Sequence, residues 1–310
     1  MRLSGHSDGV QSVSYFHDGK RAITSSMDRT ARIWDLASGK QLLSLEGHHD
    51  GINSVAVSPD DSLVATASND TQAAVWDANT GEMVSLLLGH KYGLTGVGFL
   101  GNNNTLVTIS QDGTMRVWDI PSERQTALLC NDADQDLEHL SLTPDGNYVV
   151  AAGHKGTIFL VNVKQQRIER QFNCTAAISS VIISEDGSRV YAACDEKPRK
   201  FYEWDAGTGE QIASCKIEGS YNTIGVSPNG KFVAVDLGCS DIQVYSLPRC
   251  EKVLRFLEPG NHLFVDHCIQ FSPDGKSMID ACGGYYSVNG YQRTLDNVAR
   301  VWRLPITLQR

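Results

Sequence analysis

The chain has 310 residues, with 27 Lys and Arg against 36 Asp and Glu, which gives a net charge of −9. This acidic balance argues against a dedicated nucleic-acid-binding protein, which normally shows an excess of basic residues. No apolar run approaches the ~18 residues that a membrane-spanning helix needs, and the first ten residues lack the apolar segment of a secretory signal. We therefore expect no nucleic-acid partner, no membrane partner, and a location in the cytoplasm, with the nucleus as the alternative.

The eight cysteines give no pattern for a metal site or for disulfides. Their spacing is irregular, and no two of them form a Cys-x-x-Cys pair. A free cysteine most often behaves as a small buried apolar residue. We expect all eight to be reduced, and we expect no metal and no other cofactor.

Five tryptophans mark a segment that repeats along the chain. They end the sequences ARIW, AAVW, MRVW, FYEW and ARVW, and they are Trp34, Trp76, Trp118, Trp204 and Trp302. Val161 and Tyr245 occupy the two places that complete the series. A spacing of about 40–45 residues is that of a repeat protein, and it predicts seven units.

A tight turn precedes each of these segments, such as His-Asp-Gly at residues 17–19 and Pro-Asp-Gly at residues 144–146. Asp-Gly and Asn-Gly pairs between alternating apolar residues predict β-hairpins, because both residues tolerate positive φ. Each unit then contains four short segments with the period of a strand, and no helical period of useful length is present. The predicted fold class is all-β, with four antiparallel strands in each of seven units.

Gly-His pairs at residues 5–6, 47–48 and 89–90 stand at the same place in the first three units, and Trp-Asp ends four of the seven. A four-stranded repeat with these landmarks resembles the WD40 family over essentially the whole chain. The resemblance implies a seven-bladed β-propeller that forms a single domain over residues 1–310. It also implies that residues 1–4 supply the outer strand of blade 7, which removes an open sheet edge.

WD40 repeats contain a hydrogen-bonded network of a His, a Ser or Thr, an Asp and the Trp. The resemblance implies this structural network in blades 1, 2 and 3, on His6, Asp28 and Trp34, on His48, Asp70 and Trp76, and on His90, Asp112 and Trp118. The hydroxyl partner is open between two residues in each blade: Thr24 or Ser26, Thr66 or Ser68, and Thr108 or Ser110. One such set resembles a hydrolase triad, but three copies inside a repeat favour a structural role. Blades 4 to 7 lack parts of the set, and we expect blades 4 to 6 to be less stiff than blades 1 to 3.

The top edge of a blade carries the loop that leads into its first strand and the turn between its second and third strands. In the family, the residue after the first apolar position of the innermost strand often contacts partners. The resemblance places these partner-binding candidates at Gln11, Asn53, Thr95, Glu138, Ser179, Asn222 and His267. The residue before the turn Asp is a second such position, occupied by Met27, Asn69, Gln111, His154 and Leu295. The alternative is that each is an ordinary solvated residue.

Unit seven contains about a dozen extra residues between its hairpin turn and its tryptophan, in a region where the other units are short. Alignment with the other units places the insertion between the second and third strands, at about residues 282–293, on the top edge. The stretch GGYYSVNGYQRTLDN has no strand periodicity, so we expect an irregular ridge. Tyr285, Tyr286 and Tyr291 would give this ridge amphipathic contacts for a partner, or would fold back over the end of the sheet.

The predicted function is a non-catalytic scaffold that binds other proteins or peptides through the top face and the blade 7 insertion. We expect the protein to act within a larger complex or a longer multidomain chain. The alternative is an enzyme, or a sensor of a small molecule or peptide, that uses the channel mouth of the top face. Glu138, His154 and His267 are its acid–base candidates, and a deep pocket beside Glu138 and His154 would favour it.

Overall fold

Seven tight turns of one kind set the spacing of the strands. Each joins the first strand of a blade to the second, and each contains one residue of positive φ, namely Gly19, Asp61, Gly101, Gly146, Gly187, Gly230 and Gly275. Hydroxyl groups reinforce several of them, since Ser58 Oγ donates to Asp60 Oδ1 at 2.9 Å and Ser272 Oγ donates to Asp274 Oδ1 at 2.7 Å. These contacts need only nearby residues, so the chain reverses at regular intervals.

The computed structural model describes residues 1–132, 136–217, 223–237, 241–257, 268–282, 285–288, 291–294 and 297–305, with the backbone alone at 282, 285–288 and 291–294. Strands make up more than half of the chain, and no helix occurs in the described ranges. No membrane-spanning helix is therefore found among these residues. The chain divides into two compact units, Met1–Asn53 with Ser220–Arg310, and Ser54–Gly219.

The first unit contains blades 1, 6 and 7 and the start of blade 2. Blade 1 consists of β2 (Val10–Tyr15), β3 (Arg21–Ser26), β4 (Thr30–Asp35) and β5 (Gln41–Glu46). Blade 6 consists of β22 (Thr223–Val226), β23 (Phe232–Asp236), β24 (Asp241–Ser246) and β25 (Glu251–Leu257). Blade 7 consists of β26 (Ile269–Phe271), β27 (Ser277–Cys282), β30 (Val298–Arg303) and β1 (Arg2–Ser4). Apolar side chains of blades 1 and 7 form one buried cluster, and those of blades 6 and 7 form another.

The second unit contains the remainder of blade 2 and blades 3, 4 and 5. Blade 2 consists of β6 (Ile52–Val57), β7 (Leu63–Ser68), β8 (Gln72–Asp77) and β9 (Met83–Leu88). Blade 3 consists of β10 (Leu94–Phe99), β11 (Thr105–Ser110), β12 (Thr114–Asp119) and β13 (Arg124–Asn131). Blade 4 consists of β14 (Leu137–Leu142), β15 (Tyr148–Gly153), β16 (Thr157–Asn162) and β17 (Arg167–Asn173). Blade 5 consists of β18 (Ile178–Ile183), β19 (Arg189–Cys194), β20 (Lys200–Asp205) and β21 (Gln211–Lys216). Each adjacent pair of these blades shares a buried apolar cluster.

Seven four-stranded antiparallel sheets confirm the prediction of an all-β fold with seven blades of four strands. The short strand β1 pairs with β30, and the Met1 backbone exchanges two hydrogen bonds of 2.9 Å with Val301. That residues 1–310 form a single domain stays a prediction.

The insertion of blade 7 lies between the second and third strands, because β27 ends at Cys282 and β30 begins at Val298. It contains two further strands, β28 (Tyr285–Val288) and β29 (Tyr291–Thr294), which pair as an antiparallel hairpin. The expectation of an irregular ridge is therefore wrong for these eight residues. The sequence held a signal for this hairpin, since Asn-Gly at residues 289–290 is the pair that two-residue hairpin turns favour.

Candidate interaction surface

Blades 1 and 3 contain the same buried hydrogen-bonded chain. In blade 3, Trp118 Nε1 donates to Thr108 Oγ1 at 2.8 Å, and Thr108 Oγ1 lies 2.7 Å from His90 Nε2. The other ring nitrogen of His90 lies 3.0 Å from Asp112 Oδ2. In blade 1, Trp34 Nε1 donates to Thr24 Oγ1 at 2.8 Å, and Thr24 Oγ1 lies 2.8 Å from His6 Nε2. His6 Nδ1 lies 2.9 Å from Asp28 Oδ2.

The direction of donation fixes the protonation of the histidine. The Asp112 carboxylate can only accept, so the hydrogen of the His90 ring lies on Nδ1, which faces it. Thr108 Oγ1 accepts from the Trp118 indole and has its own hydrogen to donate to His90 Nε2. His90 is then a neutral imidazole that donates from Nδ1 to the Asp112 carboxylate. Burial lowers the pKa of His90, and the hydrogen bond with Asp112 opposes this only in part. Burial acts to raise the pKa of Asp112, but hydrogen bonds from Thr114, Lys91 and His90 outweigh it and lower the pKa to about 2.

The second hydroxyl at each site holds the leading loop, which is the loop that enters the first strand of a blade. Ser26 Oγ donates to the Asp8 carbonyl at 2.9 Å, and Ser110 Oγ donates to the Tyr92 carbonyl at 3.1 Å. The choice that the sequence left open is therefore resolved in blades 1 and 3, because the threonine joins the network and the serine fixes the loop. In blade 2, His48 is buried and Trp76 Nε1 donates to Thr66 Oγ1 at 3.0 Å.

Blade 4 replaces this network by apolar packing. Val161 stands in place of the tryptophan, while Ala151 and Phe159 face each other where blade 1 has Thr24 and Arg32. All three apolar side chains are buried in one cluster.

Blade 5 contains a network that the sequence did not predict. Glu196 stands at the place of the turn Asp, and its Oε1 accepts from the Thr175 amide at 3.1 Å and from the Thr175 hydroxyl at 2.7 Å. Its Oε2 accepts from the Tyr202 hydroxyl at 2.8 Å and lies 3.2 Å from Lys200 Nζ. Burial acts to raise the pKa of Glu196, but these donors lower it to about 2. Blade 5 lacks parts of the His-Asp-Trp set, as expected, but a different buried carboxylate network stands in their place. An alignment of Glu196 with Asp112 in the sequence would have indicated this network.

The partner-binding candidates of four blades are the extra residues of β-bulges. Pairing between the first two strands skips one residue of the inner strand in blades 1, 3, 4 and 5, and the skipped residues are Gln11, Thr95, Glu138 and Ser179. A bulge bends the strand and redirects the side chain of the extra residue. The side chains at these four positions therefore point in a different direction from those of an ordinary strand residue. All four are half-buried.

Hydrogen bonds within the protein engage several of these side chains. Thr95 Oγ1 donates to the Leu137 carbonyl at 2.5 Å, and Ser179 Oγ donates to the Ala193 carbonyl at 3.3 Å. Gln11 Nε2 is 3.5 Å from the Gly9 carbonyl, and Asn53 is half-buried. The candidates Asn222, His267 and Leu295 lie outside the described residues, and so do the side chains of Tyr285, Tyr286 and Tyr291.

Positions before the turn Asp support the leading loop of the next blade. Gly51 packs against Met27, and Gly93 packs so closely against Asn69 that an added Cβ would lie 3.2 Å from the Asn69 Cα. Met27 is partly exposed and Gln111 is exposed. These positions therefore combine a packing role with an exposed surface.

Glu138 and His154 meet at the top edge of blade 4. His154 Nε2 lies 2.7 Å from Glu138 Oε1, with 60% of the His154 side chain and 25% of the Glu138 side chain exposed. The neighbouring His139 is partly buried, and burial, with a smaller contribution from His154, lowers its pKa to about 4. The sequence brought Glu138 and His154 together correctly as residues of one blade, and the structure adds the direct contact.

Tyr92 is an exposed aromatic residue that the sequence reasoning missed. It lies in the leading loop of blade 3, where blades 1 and 2 have Asp8 and Asp50, and 63% of it is exposed. Its backbone is held by Ser110, so the side chain projects from a fixed loop. Alignment of the three Gly-His loops was sufficient to find it.

Four cysteines among the described residues differ from the expectation of a fully reduced protein, since Cys215 and Cys250 are disulfide-bonded as well as Cys174 and Cys194. Cys174 and Cys194 are joined by a disulfide, with their Cα atoms 6.1 Å apart. Cys130 is free and buried, and Cys268 is free and half-buried. The expectation of eight reduced cysteines is wrong for the disulfide pair, because strands that end beside each other bring together residues separated by 20 positions. In the described part of the chain, no group of three or more His, Cys, Asp or Glu side chains could hold a metal ion.

The geometry defines a repeat protein of the β-propeller class, built from seven antiparallel blades that share one kind of turn. Residues 1–35, 39–77 and 81–119 match the family model WD40, described as "WD domain, G-beta repeat". Residues 1–119 thus carry WD40 repeats in a chain with a seven-bladed β-propeller fold, and the three matched segments cover blades 1 to 3, where the His-Asp-Trp landmarks are complete.

Three curated proteins illustrate the similarity. Protein groucho of Drosophila melanogaster is 24% identical over 168 residues, which are 54% of this chain and 20% of groucho. Regulator of rDNA transcription protein 13 of Saccharomyces cerevisiae is 59% identical over 34 residues, which are 11% of this chain and 18% of that protein. Cell division control protein 4 of the same yeast is 59% identical over 34 residues, which are 11% of this chain and 4% of that protein. The chain thus matches one fifth or less of the length of each of these relatives.

Proposed function

We propose that this protein is a non-catalytic scaffold that binds other proteins or peptides through the top edges of its blades. The observation that carries the proposal is the pair of exposed features on neighbouring blades 3 and 4, Tyr92 and the Glu138–His154 contact. Tyrosine offers a large amphipathic contact at little cost in side-chain entropy, and it is enriched at protein interfaces. The carboxylate and the imidazole add polar groups that can orient a partner.

The hydrogen bonds inside the blades support this choice of residues. Thr95 and Ser179 are engaged by backbone carbonyls, so their side chains are less available to a partner. Glu138 also lies next to Leu137, whose carbonyl accepts the Thr95 hydrogen bond that joins blades 3 and 4. The exposed groups therefore stand on a surface whose backbone is fixed before binding, which lowers the entropic cost of association.

The relatives agree with a role in interactions without defining a partner. Two of their names describe the regulation of rDNA transcription and the control of cell division. We expect partners to be proteins or peptides, in a larger complex or through other domains of a longer chain. The expected location in the cytoplasm, or in the nucleus, stays a prediction.

The test is capture of partners by the intact chain from its source, with mass spectrometry as the readout. The variants are Tyr92→Ala and the double variant Glu138→Ala with His154→Ala. Matched controls are Leu42→Ala, an exposed apolar residue on the outer strand of blade 1, and Lys276→Ala, which breaks an exposed ion pair of 3.2 Å with Asp274.

We expect the top-edge variants to lose partners that both controls retain, with unchanged melting temperatures. Retention of every partner by the top-edge variants would refute the assignment of this surface. Absence of any partner that exceeds a mock capture would refute the scaffold role itself.

The hairpin of β28 and β29 is a second candidate element of the same role. It inserts two strands at the top edge of blade 7, and its sequence carries Tyr285, Tyr286 and Tyr291. Replacing residues 285–292 by an Asn-Gly turn should remove a subset of partners and leave the fold intact. A collapsed fold in that variant would instead assign the tyrosines to the core.

The Glu138–His154 contact also carries the second candidate function, an enzyme or sensor. A carboxylate 2.7 Å from an imidazole is the arrangement of a general base and the group that orients it. A cavity of about 380 Å³ lies elsewhere, in the first unit, beside Leu36, Phe256 and Trp302. Conversion of a small substrate that the double variant abolishes, with stability unchanged, would establish this second function in place of the first.

A further inference from the structure

The disulfide of blade 5 occupies a place that a hydrogen bond occupies in other blades. Cys194 ends β19 and aligns with Ser26 and Ser110, which end the second strands of blades 1 and 3. Those serines donate to carbonyls of their leading loops at 2.9 and 3.1 Å. In blade 5, the covalent bond from Cys194 to Cys174 holds the leading loop instead.

The two sulfur atoms differ in accessibility. Cys194 is fully buried, whereas Cys174, directly after β17, is partly exposed. Their Cα separation of 6.1 Å lies inside the usual range of about 4.4–6.8 Å for disulfides. The bond is therefore compatible with the backbone, and one of its two ends can be reached from solvent.

The residue after Cys174 anchors the blade 5 network. Thr175 donates twice to Glu196, which also binds Tyr202 and Lys200. The same leading loop continues into β18, where Ser179 is the bulged residue. Whether the Cys174 sulfur is oxidised or reduced therefore affects the leading loop of blade 5, which forms part of the top edge of that blade.

We propose that the Cys174–Cys194 disulfide is a reversible redox latch that fixes the leading loop of blade 5. A low-molecular-weight thiol such as glutathione reduces it by exchange. The thiolate attacks Cys174 Sγ, the protein disulfide breaks, and Cys194 leaves as a thiolate that takes a proton from water. A second thiolate attacks the mixed disulfide, releases Cys174 as a thiolate that is protonated in turn, and gives the oxidised thiol dimer.

Burial of Cys194 makes the latch slow to open. The departing thiolate would be released into an apolar cluster that contains Phe172, Tyr202 and Trp204, an environment that disfavours a charged sulfur. Reduction therefore requires the leading loop to move first, and we expect it to take minutes to hours without a catalyst. Once reduced, the loop is held only by hydrogen bonds such as those between Thr175 and Glu196.

The repeat provides variants that should fold. Cys194→Ser introduces the residue that blades 1, 2 and 3 have at this place, and Cys174→Ser removes the other sulfur while keeping the size of the side chain. Both variants mimic the reduced state without a large change in volume. Cys130→Ser is the matched control, because Cys130 is a free buried cysteine outside blade 5.

The experiment uses the full chain, equilibrated with oxidised or with reduced glutathione. Peptide mapping by mass spectrometry measures the Cys174–Cys194 link, and hydrogen exchange measures the backbone amides of residues 174–177. We expect the link only in the oxidised sample, and exchange about tenfold faster after reduction, because local opening is no longer restrained. Both blade 5 variants should exchange at the fast rate in either condition, and Cys130→Ser should behave as the unaltered protein.

Two results would overturn the proposal. The first is absence of the linked peptide after oxidation, which would show that the two cysteines do not form the latch. The second is a linked peptide with unchanged exchange at residues 174–177, which would show an inert crosslink. Neither readout involves Tyr92, Glu138 or His154, so the latch and the proposed scaffold role can fail separately.

Discussion

Replacing Asp112 by alanine should destabilise the protein strongly, because one carboxylate satisfies four donors. Oδ2 lies 3.0 Å from His90 Nδ1 and accepts from the Lys91 amide at 3.0 Å. Oδ1 accepts from the Thr114 amide at 3.0 Å and from the Thr114 hydroxyl at 2.5 Å. The side chains of His90 and Asp112 are 1% and 4% exposed, so water cannot easily replace the lost acceptor.

The magnitude follows from which donors remain buried. The Lys91 amide is exposed and can bind water, whereas the His90 ring and the Thr114 hydroxyl are buried. A buried donor that loses its partner costs about 1–3 kcal/mol, so two of them give a loss of about 3 kcal/mol. This is a large fraction of the roughly 5–15 kcal/mol by which proteins are stable, and for a chain of this length it corresponds to a fall in melting temperature of about 5 °C.

Thermal and urea unfolding of the full chain provide the assay. Asp119→Ala, at the end of β12 in the same blade, is the matched control, because the Asp119 carboxylate binds the exposed Ser122 amide and hydroxyl. We expect the control to stay within about 1 °C of the unaltered protein, since surface substitutions usually change stability by less than about 0.5 kcal/mol. Equal melting temperatures for Asp112→Ala and Asp119→Ala would refute the structural assignment of the network. Loss of a partner by Asp112→Ala without loss of stability would show that the carboxylate acts in binding.

Three further predictions concern pH and the other blades. The free energy of unfolding should decrease below about pH 6.5, because His90 takes up a proton there in the unfolded chain while burial keeps its pKa lower in the folded protein. It should decrease again from about pH 3.8 towards 2, as Asp112 is protonated. Urea midpoints that stay constant between pH 7.5 and 4 would contradict the prediction for His90. Gly153→Ser, which copies the residue of blades 1 to 3, should cost about 1–3 kcal/mol in thermal unfolding, because an added Cβ collides with the Asp136 carbonyl. An unchanged melting temperature would show that this loop can move aside. Tyr202→Phe should cost about 1–2 kcal/mol by removing a buried donor to the blade 5 carboxylate, whereas no cost would mean that this network does not stabilise the blade.

The number of blades and the order of strands could be predicted from the sequence because their causes are local. A turn that needs positive φ restricts the residue at one position, as at Asp61 and Gly146, and the alternation of side chains identifies the strands on either side. The His-Asp-Trp sets of blades 1 and 3 were recognisable for the same reason, since a repeat places the same residues at the same spacing. The Asn-Gly pair also indicated the hairpin in blade 7. The prediction missed it because the flanking residues show no alternation of apolar and polar side chains.

The site depended more on tertiary contacts. The bulges at Thr95 and Glu138 arise from how two strands pair, and pairing register is not visible in either strand alone. The disulfide likewise joins two strand ends that only the fold brings together.

Substitutions that compensate for one another explain the remaining differences. In blade 5, Glu196 and Tyr202 replace an aspartate and an arginine, and the exchange keeps a buried carboxylate supplied with donors although no residue type is retained. In blade 4, Ala151, Phe159 and Val161 remove the polar groups together, which leaves nothing buried without a partner at those positions. The sequence by itself determined the repeat, because turns and strand alternation depend on near neighbours. The tertiary structure decided how each blade fills its interior and which side chains remain exposed, because burial and hydrogen bonding depend on residues distant in the chain.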